Sequence, residues 1–445
     1  MKFRTGMTTC AVTAALAVLS GDALASGFAL LESGASGRGN SYAGGAAIAD
    51  DASTIFSNPA GMANMSGTQL AVTLHALQPS AKFSGTMNGA APLQPSLGGT
   101  GGDAGGLNWV PNAAFVTEID PNMRFGLSVG VPFGLKTDYD PNWMGRFQAI
   151  KSQIKTINLN PALSWQLNDT LAIGAGLSYQ HISGELSSAV NYSAAAFSAG
   201  GAALLGAIGG AGVEGVSTMT GSDNAWGYNF GALFKLSPQT RIGLAYRSTI
   251  KYKLSGTVTF TSVPAPLAAG FANGPVNLAI RMPDSFSASV FHKLDDKWDV
   301  MADASWTGWS VLQQLKIDRA NGTNLTTVPE NWRDTWRVAV GVNYHYSAQW
   351  LSRIGVAYEQ TPVPDAFRTA RIPDTNRYEL SLGGQYKPTK DSAWDFAYAH
   401  LFMQGAPVNQ NAANNTDLTA SGAGYLLGSY NDTANVLSVQ YTHNL

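Results

Sequence analysis

Trp336-Arg337-Val338-Ala339-Val340-Gly341-Val342-Asn343-Tyr344-His345-Tyr346 is the stretch whose reading decides the fold class. Trp336, Val338, Val340, Val342, Tyr344 and Tyr346 fall on one face, and Arg337, Ala339, Gly341, Asn343 and His345 on the other. A helix would scatter these two sets around its circumference, whereas a strand separates them at period two. Large apolar and aromatic residues opposite small and polar ones suit a strand with lipid on one side and a lumen on the other.

The same alternation recurs on both sides of this stretch. Leu70, Val72 and Leu74 oppose Gln69, Thr73 and His75, and Phe125, Leu127, Val129, Val131 and Phe133 share a face. Segments 170 to 179 and 226 to 236 repeat the pattern. At the C-terminus Leu437, Val439, Tyr441, His443 and Leu445 oppose Ser438, Gln440, Thr442 and Asn444, although a barrel of this kind usually ends on an aromatic residue. Short turns (Asn168-Asp169, Ser237-Pro238-Gln239, Asp295-Asp296, Ser347-Ala348) separate some pairs. Longer polar or glycine-rich stretches separate others, at 80 to 107, 188 to 223, 262 to 276, 319 to 331 and 404 to 432. Short turns at one end and long loops at the other predict an all-β, transmembrane antiparallel β-barrel of about 14 strands.

Composition agrees. Only 13% of the 445 residues are charged, 45% are hydrophobic, and 49 are glycine. Helical membrane proteins carry repeated apolar runs of about 20 residues. The nearest approach here, Ser193 to Val213, is mostly Ala and Gly and reads as a small-residue helical pair or a flexible excursion in an extracellular loop. Trp109, Trp143, Trp165, Trp298, Trp306, Trp309, Trp332, Trp350 and Trp394 lie near segment ends, where amphipathic rings would form girdles at the headgroup level.

Residues 1–25 read as a signal peptide: Lys2 and Arg4, an apolar run from Ala11 to Leu19, then Ala23-Leu24-Ala25 before a cut that leaves Ser26 first. Cys10, the single cysteine, sits inside it, so the mature chain is expected to hold neither disulfide nor thiolate. Export of such a barrel places it in the outer membrane of a Gram-negative bacterium. A net charge of −2 with dispersed basic residues points to no nucleic-acid partner. The six histidines are scattered singly, and no Gly-x-Ser-x-Gly, His-Glu-x-x-His or phosphate-cradling loop occurs, so neither an enzyme nor a metal or other cofactor is expected.

Residues 26–67 are not strand-like: they are rich in Gly, Ala, Ser and Asn and contain Asn58-Pro59-Ala60, where proline cannot join a ladder. A lumen of this width needs filling, so the segment is expected to be an N-terminal hatch, a plug inside a barrel of residues 68–445. Gly27-Phe28-Ala29-Leu30, Glu32, Ser36-Gly37-Arg38-Gly39-Asn40, Tyr42-Ala43-Gly44, Ala46 to Ala52 and Asn58-Pro59-Ala60 together resemble the hatch of the FadL family, channels for long-chain fatty acids and hydrocarbons. Arg247-Ser248, Trp306 to Ser310, Pro362-Val363-Pro364 and Arg371 to Asp374 extend the resemblance over nearly the whole mature chain.

The resemblance implies a monomer of 14 strands in outer-membrane lipid, taking up long-chain fatty acids or other hydrophobic small molecules passively. The implied route runs from a groove among the loops to an internal pocket, then past a shifting hatch to a lateral opening at a kinked third strand. Here that strand contains Gly130-Val131-Pro132-Phe133-Gly134-Leu135, so Pro132 and Gly134 are the expected kink. Phe28 is the expected gate and Phe133 a second lining residue. The family's basic residue just past the fifth strand has no counterpart in His181 to Leu186, which leaves an aromatic hydrocarbon channel open as the alternative. A surface receptor or a water-filled porin remain the readings outside this substrate class.

Overall fold

The computed structural model describes residues 27–414 and 421–445. The signal peptide expected over 1–25 lies outside the described residues.

Fourteen antiparallel strands close into one barrel. They are β1 (Thr68–Asn88), β2 (Asn108–Asp120), β3 (Met123–Gly130 and Gly134–Asp138), β4 (Lys151–Asn168), β5 (Leu171–Asn191), β6 (Glu214–Lys235) and β7 (Thr240–Arg247 and Ile250–Phe260). The circuit continues with β8 (Gly274–Met282 and Ser285–Lys293), β9 (Trp298–Thr307 and Gln314–Arg319), β10 (Asn324–Pro329 and Thr335–His345), β11 (Trp350–Glu359), β12 (Arg377–Thr389), β13 (Ser392–Met403 and Ala406–Asn409) and β14 (Tyr425–Asn444). β14 returns to β1 in register from Gln69 opposite Asn444 to Asn88 opposite Tyr425. Closure leaves no edge for lipid to meet, the condition for a sheet to cross a membrane.

Period-two alternation translates directly into inside and outside. Trp336, Val338 and Val340 are about half exposed, whereas Arg337 and Ala339 are buried. In lipid those outward apolar faces are solvated, and the inward polar residues find partners. Trp165, Trp298, Trp350 and Trp394 are exposed beside the short turns; Trp109, Trp226 and Trp336 are exposed toward the loop end. Of these, Trp109, Trp165, Trp298, Trp350 and Trp394 are among those expected in girdles, and Trp226 and Trp336 share their outward exposure. Trp143, Trp309 and Trp332 do not belong to the girdles, because all three are buried within the structure, almost without exposure.

Several stretches expected as loops are strand. β1 runs on to Asn88, β5 and β6 reach Asn191 and Glu214, and β9 and β10 meet in a hairpin that leaves only 320–323 between them. Beyond the lipid band the outer face no longer needs apolar side chains, so the ladder continues while the alternation fades. Between β5 and β6 lies a helix, α1 (Tyr192–Ala207), with non-helical backbone at Gly200 and Gly201. It is two short helices in series, as the small-residue reading allowed. Among the described residues no helix is long and apolar enough to cross a membrane.

Residues 27–66 occupy the lumen. Short helical turns at Ala35–Arg38, Thr54–Ser57 and Pro59–Asn64 are joined by small residues, of which Ala43, Ala47, Ala52 and Ala60 are completely buried. The segment presses on the wall where the wall has glycine: a Cβ at Gly355 would lie 2.1 Å from the Asn40 carbonyl carbon, and one at Gly231 1.8 Å from Asn58 Oδ1. Polar ties complete the fit. Arg38 pairs with Glu32 and, at 2.9 Å, with Glu379, while Arg337 donates to the Ser41 carbonyl at 2.8 Å. Gln440 accepts from the Ala35 amide at 2.9 Å and donates to Asp51 at 3.0 Å.

Candidate functional site

The site begins with a defect in the wall. β2 runs back to Asn108 against β1, but its pairing with β3 stops at Ala113 opposite Val129, so β3 has no β2 neighbour past Val129. β3 itself is interrupted at 131–133, where Pro132 brings no N–H to the ladder. On the β4 side the Thr156 hydroxyl substitutes for backbone, accepting from the Phe133 amide at 3.0 Å and donating to the Phe133 carbonyl at 2.7 Å.

On the open side the N-terminal arm supplies the missing strand. The Leu30 amide donates to the Pro132 carbonyl at 2.8 Å, and the Gly134 amide to the Phe28 carbonyl at 2.9 Å, framing an antiparallel bridge between Ala29 and Phe133. Backbone groups freed by the interruption are thus satisfied from inside, as buried polar groups require.

That pairing sets Phe28 in an aromatic box. Its ring is 4.8 Å from Trp309, 5.6 Å from Trp332 and 6.1 Å from Phe133, centroid to centroid. Gly27 turns the chain at φ +60°, where a Cβ would meet Trp332 at 2.7 Å. The Gly27 amide donates to Asp374 at 2.9 Å, and Asp374 also accepts from the Thr361 hydroxyl at 2.6 Å.

An apolar lumen continues from the box toward the loops, in one buried cluster with Phe28. It holds a cavity of about 70 Å³ lined by Ile182, Leu254, Ile280, Leu315 and Ile317 among others. Few polar atoms enter this region, and the indole Nε1 of Trp309, the Tyr252 hydroxyl and Glu330 Oε1 are buried there without a hydrogen-bond partner among the described residues. Glu330 lies between the two pieces of β10, on the loop side of Trp336. Burial pushes its carboxyl up to about 8 against the opposing bond from Trp332 Nε1, 2.9 Å away. Burial likewise lowers Arg371, in the loop before β12, to about 10.

A second cavity, about 160 Å³, lies against the arm and the β3 interruption, with Ala29, Pro132, Phe133, Pro59 and Arg247 in its lining. Below it, at the short-turn end, a polar vestibule of about 430 Å³ includes Asp50, Arg241, Asp299 and Lys387.

Phe28 and Phe133, expected as gate and lining residue, therefore come together, and Pro132 and Gly134 frame the interruption between them. Asn58, Pro59 and Ala60 serve a different place. The Asn58 side chain donates to the carbonyls of Ala46 (2.7 Å) and Ala232 (3.0 Å) and caps the Pro59–Asn64 turn through the Ala60 amide. His181 is turned away from the lumen and meets Asn224 at 3.0 Å. Sequence reasoning missed Thr156, Asp374 and the pocket role of Trp309 and Trp332. The two tryptophans lie outside every alternating run, a signal that they are not lipid-facing.

Comparison with known proteins adds to this geometry. The profile of a family described as outer membrane protein transport protein (OMPP1/FadL/TodX) matches residues 16–445. A long-chain fatty acid transport protein of Escherichia coli K12 is 28% identical over 92% of this chain and 95% of its own. A solved Pseudomonas aeruginosa FadL homologue superposes with TM-score 0.83 at 29% identity, over 94% of this chain and 99% of the other. The Ralstonia pickettii toluene transporter TbuX shares the fold at TM-score 0.66 and 21% identity, over 93% and 98%.

Proposed function

This chain belongs to the outer membrane protein transport family (OMPP1/FadL/TodX), and from that premise we propose that it carries long-chain fatty acids or similar amphiphiles passively from the aromatic box to the β3 interruption. It is an outer-membrane channel for hydrophobic substrates of a Gram-negative bacterium. The observation that carries the finer reading is the arm: the same three residues, Phe28 to Leu30, close the box with a ring and the wall with a backbone bridge.

In this reading the box and the apolar lumen above it take the tail, whose burial is worth ~0.8 kcal/mol per CH₂. Withdrawal of residues 27–30 removes the Phe28 ring and uncovers the Pro132 and Gly134 backbone in one movement. The tail then has a way into the bilayer beside β3, and the hatch below it, residues 35–64, stays in place. The 14-stranded unit acts as a monomer, since box, arm and opening all belong to one chain.

The fatty-acid class is supported by relatives at 28% identity whose names specify it. Aromatic hydrocarbons are the second reading, favoured by the box of Trp309, Trp332 and Phe133 and by the absence of a lumenal base at 181 to 186. Uptake of labelled oleate and of labelled toluene in cells lacking their own channel separates the two. Oleate uptake restored by this chain is expected; restoration by neither substrate overturns the transport reading.

A further inference from the structure

Most lumenal arginines are committed to carboxylates: Arg38 to Glu32 and Glu379, Arg353 to Asp395, Arg377 to Glu359, and Arg241 to Asp50. Arg247, at the end of the first piece of β7, is different. Its Nη2 donates to the Phe56 carbonyl at 2.7 Å, its Nη1 reaches Ser178 Oγ only at 3.4 Å, and the guanidinium lies 4.6 Å over the Phe56 ring. Among the described residues no carboxylate lies within ion-pairing distance of it. Arg371 also lacks such a partner, yet its Nη1 is turned to the Lys151 carbonyl, the Ser152 hydroxyl and the Ser187 carbonyl, and it lines neither cavity.

Arg247 is half-buried and lines the cavity that also holds Pro132, Phe133 and Ala29. A half-buried guanidinium that lines a cavity without a counter-ion is costly unless something anionic visits it. The cavity has two other charged residues, and both are engaged: Asp303 accepts from Ser289 and Ser305, and Arg337 holds Ser41 and Glu379.

We propose that Arg247 is the carboxylate-binding residue of the route: an anionic amphiphile that leaves the aromatic box sets its head on Arg247 while its tail faces the β3 interruption. The inference rests on the channel reading above and adds a headgroup partner where the strand-five region offers none. It also sets the order of passage. The tail is held by the upper lumen first, and the head then gains a charged partner beside the opening.

Arg247→Gln and Arg247→Lys test it, with uptake of oleate and of oleyl alcohol measured side by side. Arg247→Gln is expected to lower oleate uptake about tenfold, the loss of one charge-assisted contact, with alcohol uptake nearly unchanged. Arg247→Lys recovers most of the difference. An unchanged acid-to-alcohol ratio in Arg247→Gln overturns the proposal and leaves the channel intact; a purely structural tie to Phe56 would lower both equally. Wild-type protein that moves neither probe overturns the channel reading and the proposal with it. Should the variant miss the outer membrane, a fatty acid with a diazirine beside its carboxylate is photolysed on the wild-type protein. Labelling of Phe56, Asn229 or Tyr246 is expected, and labelling confined to the loops overturns the proposal.

Discussion

Two parts of the lumenal segment are built in opposite ways. Residues 35–64 are held by the buried ion pair of Arg38 with Glu379, by the Arg337 bond to the Ser41 carbonyl, by Gln440, by Asn58 and by backbone pressed onto Gly355 and Gly231. Residues 27–30 are held by two backbone bonds at Pro132 and Gly134, one bond to Asp374, and the Phe28 ring. The first set of contacts is charged, desolvated and shared among β10, β12 and β14. The second is short, neutral or single, and mostly apolar. The proposed sideways opening past a retained plug would use this division, because local opening is drawn from the least-tied segment.

The contrast can be broken most severely at its rigid end. Glu379→Ala leaves the guanidiniums of Arg38 and Arg337 without their shared carboxylate, at a cost of ~3–5 kcal/mol. Denaturant unfolding should register that loss, with unfolding of the barrel and hatch moving together. At the lightly tied end, Ala29→Cys with Phe133→Cys exploits a non-hydrogen-bonded bridge, the pairing that brings Cα atoms closest. Oxidation should abolish uptake and reduction restore it; equal uptake in both states would show that the arm need not move.

Smaller effects sharpen the boundary. Asn58→Ala removes a cap and two carbonyl ties, so a loss of ~1–2 kcal/mol in unfolding free energy is expected, with uptake changed less than by the arm disulfide. The smallest effect concerns Glu330. Its folded-state carboxyl titrates near 8 against an ordinary 4.5, so the folded chain keeps a proton that the unfolded chain has lost. Stability should therefore fall as pH rises through that window, and Glu330→Gln should flatten the slope. Tryptophan emission read across the titration checks it through Trp332.

Much of this was legible from residue order. Thr68 onward alternates because lipid and lumen impose opposite demands on successive side chains, and the strand count follows from that pattern; the kink of the third strand was expected through family likeness, with Pro132 as its local cause. The site was legible only in part. Phe28 and Phe133 were named through family likeness, but Trp309 and Trp332 were placed in the girdles, on their nearness to segment ends rather than on their absence from the alternating runs. Their burial follows from the breaks in β9 and β10, at 308–313 and 330–334, which turn them inward. The strand extensions above the membrane went unread because the hydrophobic contrast that signals a strand disappears where the lipid ends.

The sequence by itself determined a closed barrel: a chain that alternates at period two, carries few charges and contains no long apolar helix has one way to satisfy its backbone in a bilayer. Only the tertiary structure decided which residues meet across it. Phe28 reaches Pro132 and Gly134, and Arg247 reaches Phe56, through a lumenal segment far away in the chain. Those meetings depend on barrel register and on glycines that admit the plug, and local pattern carries information on neither.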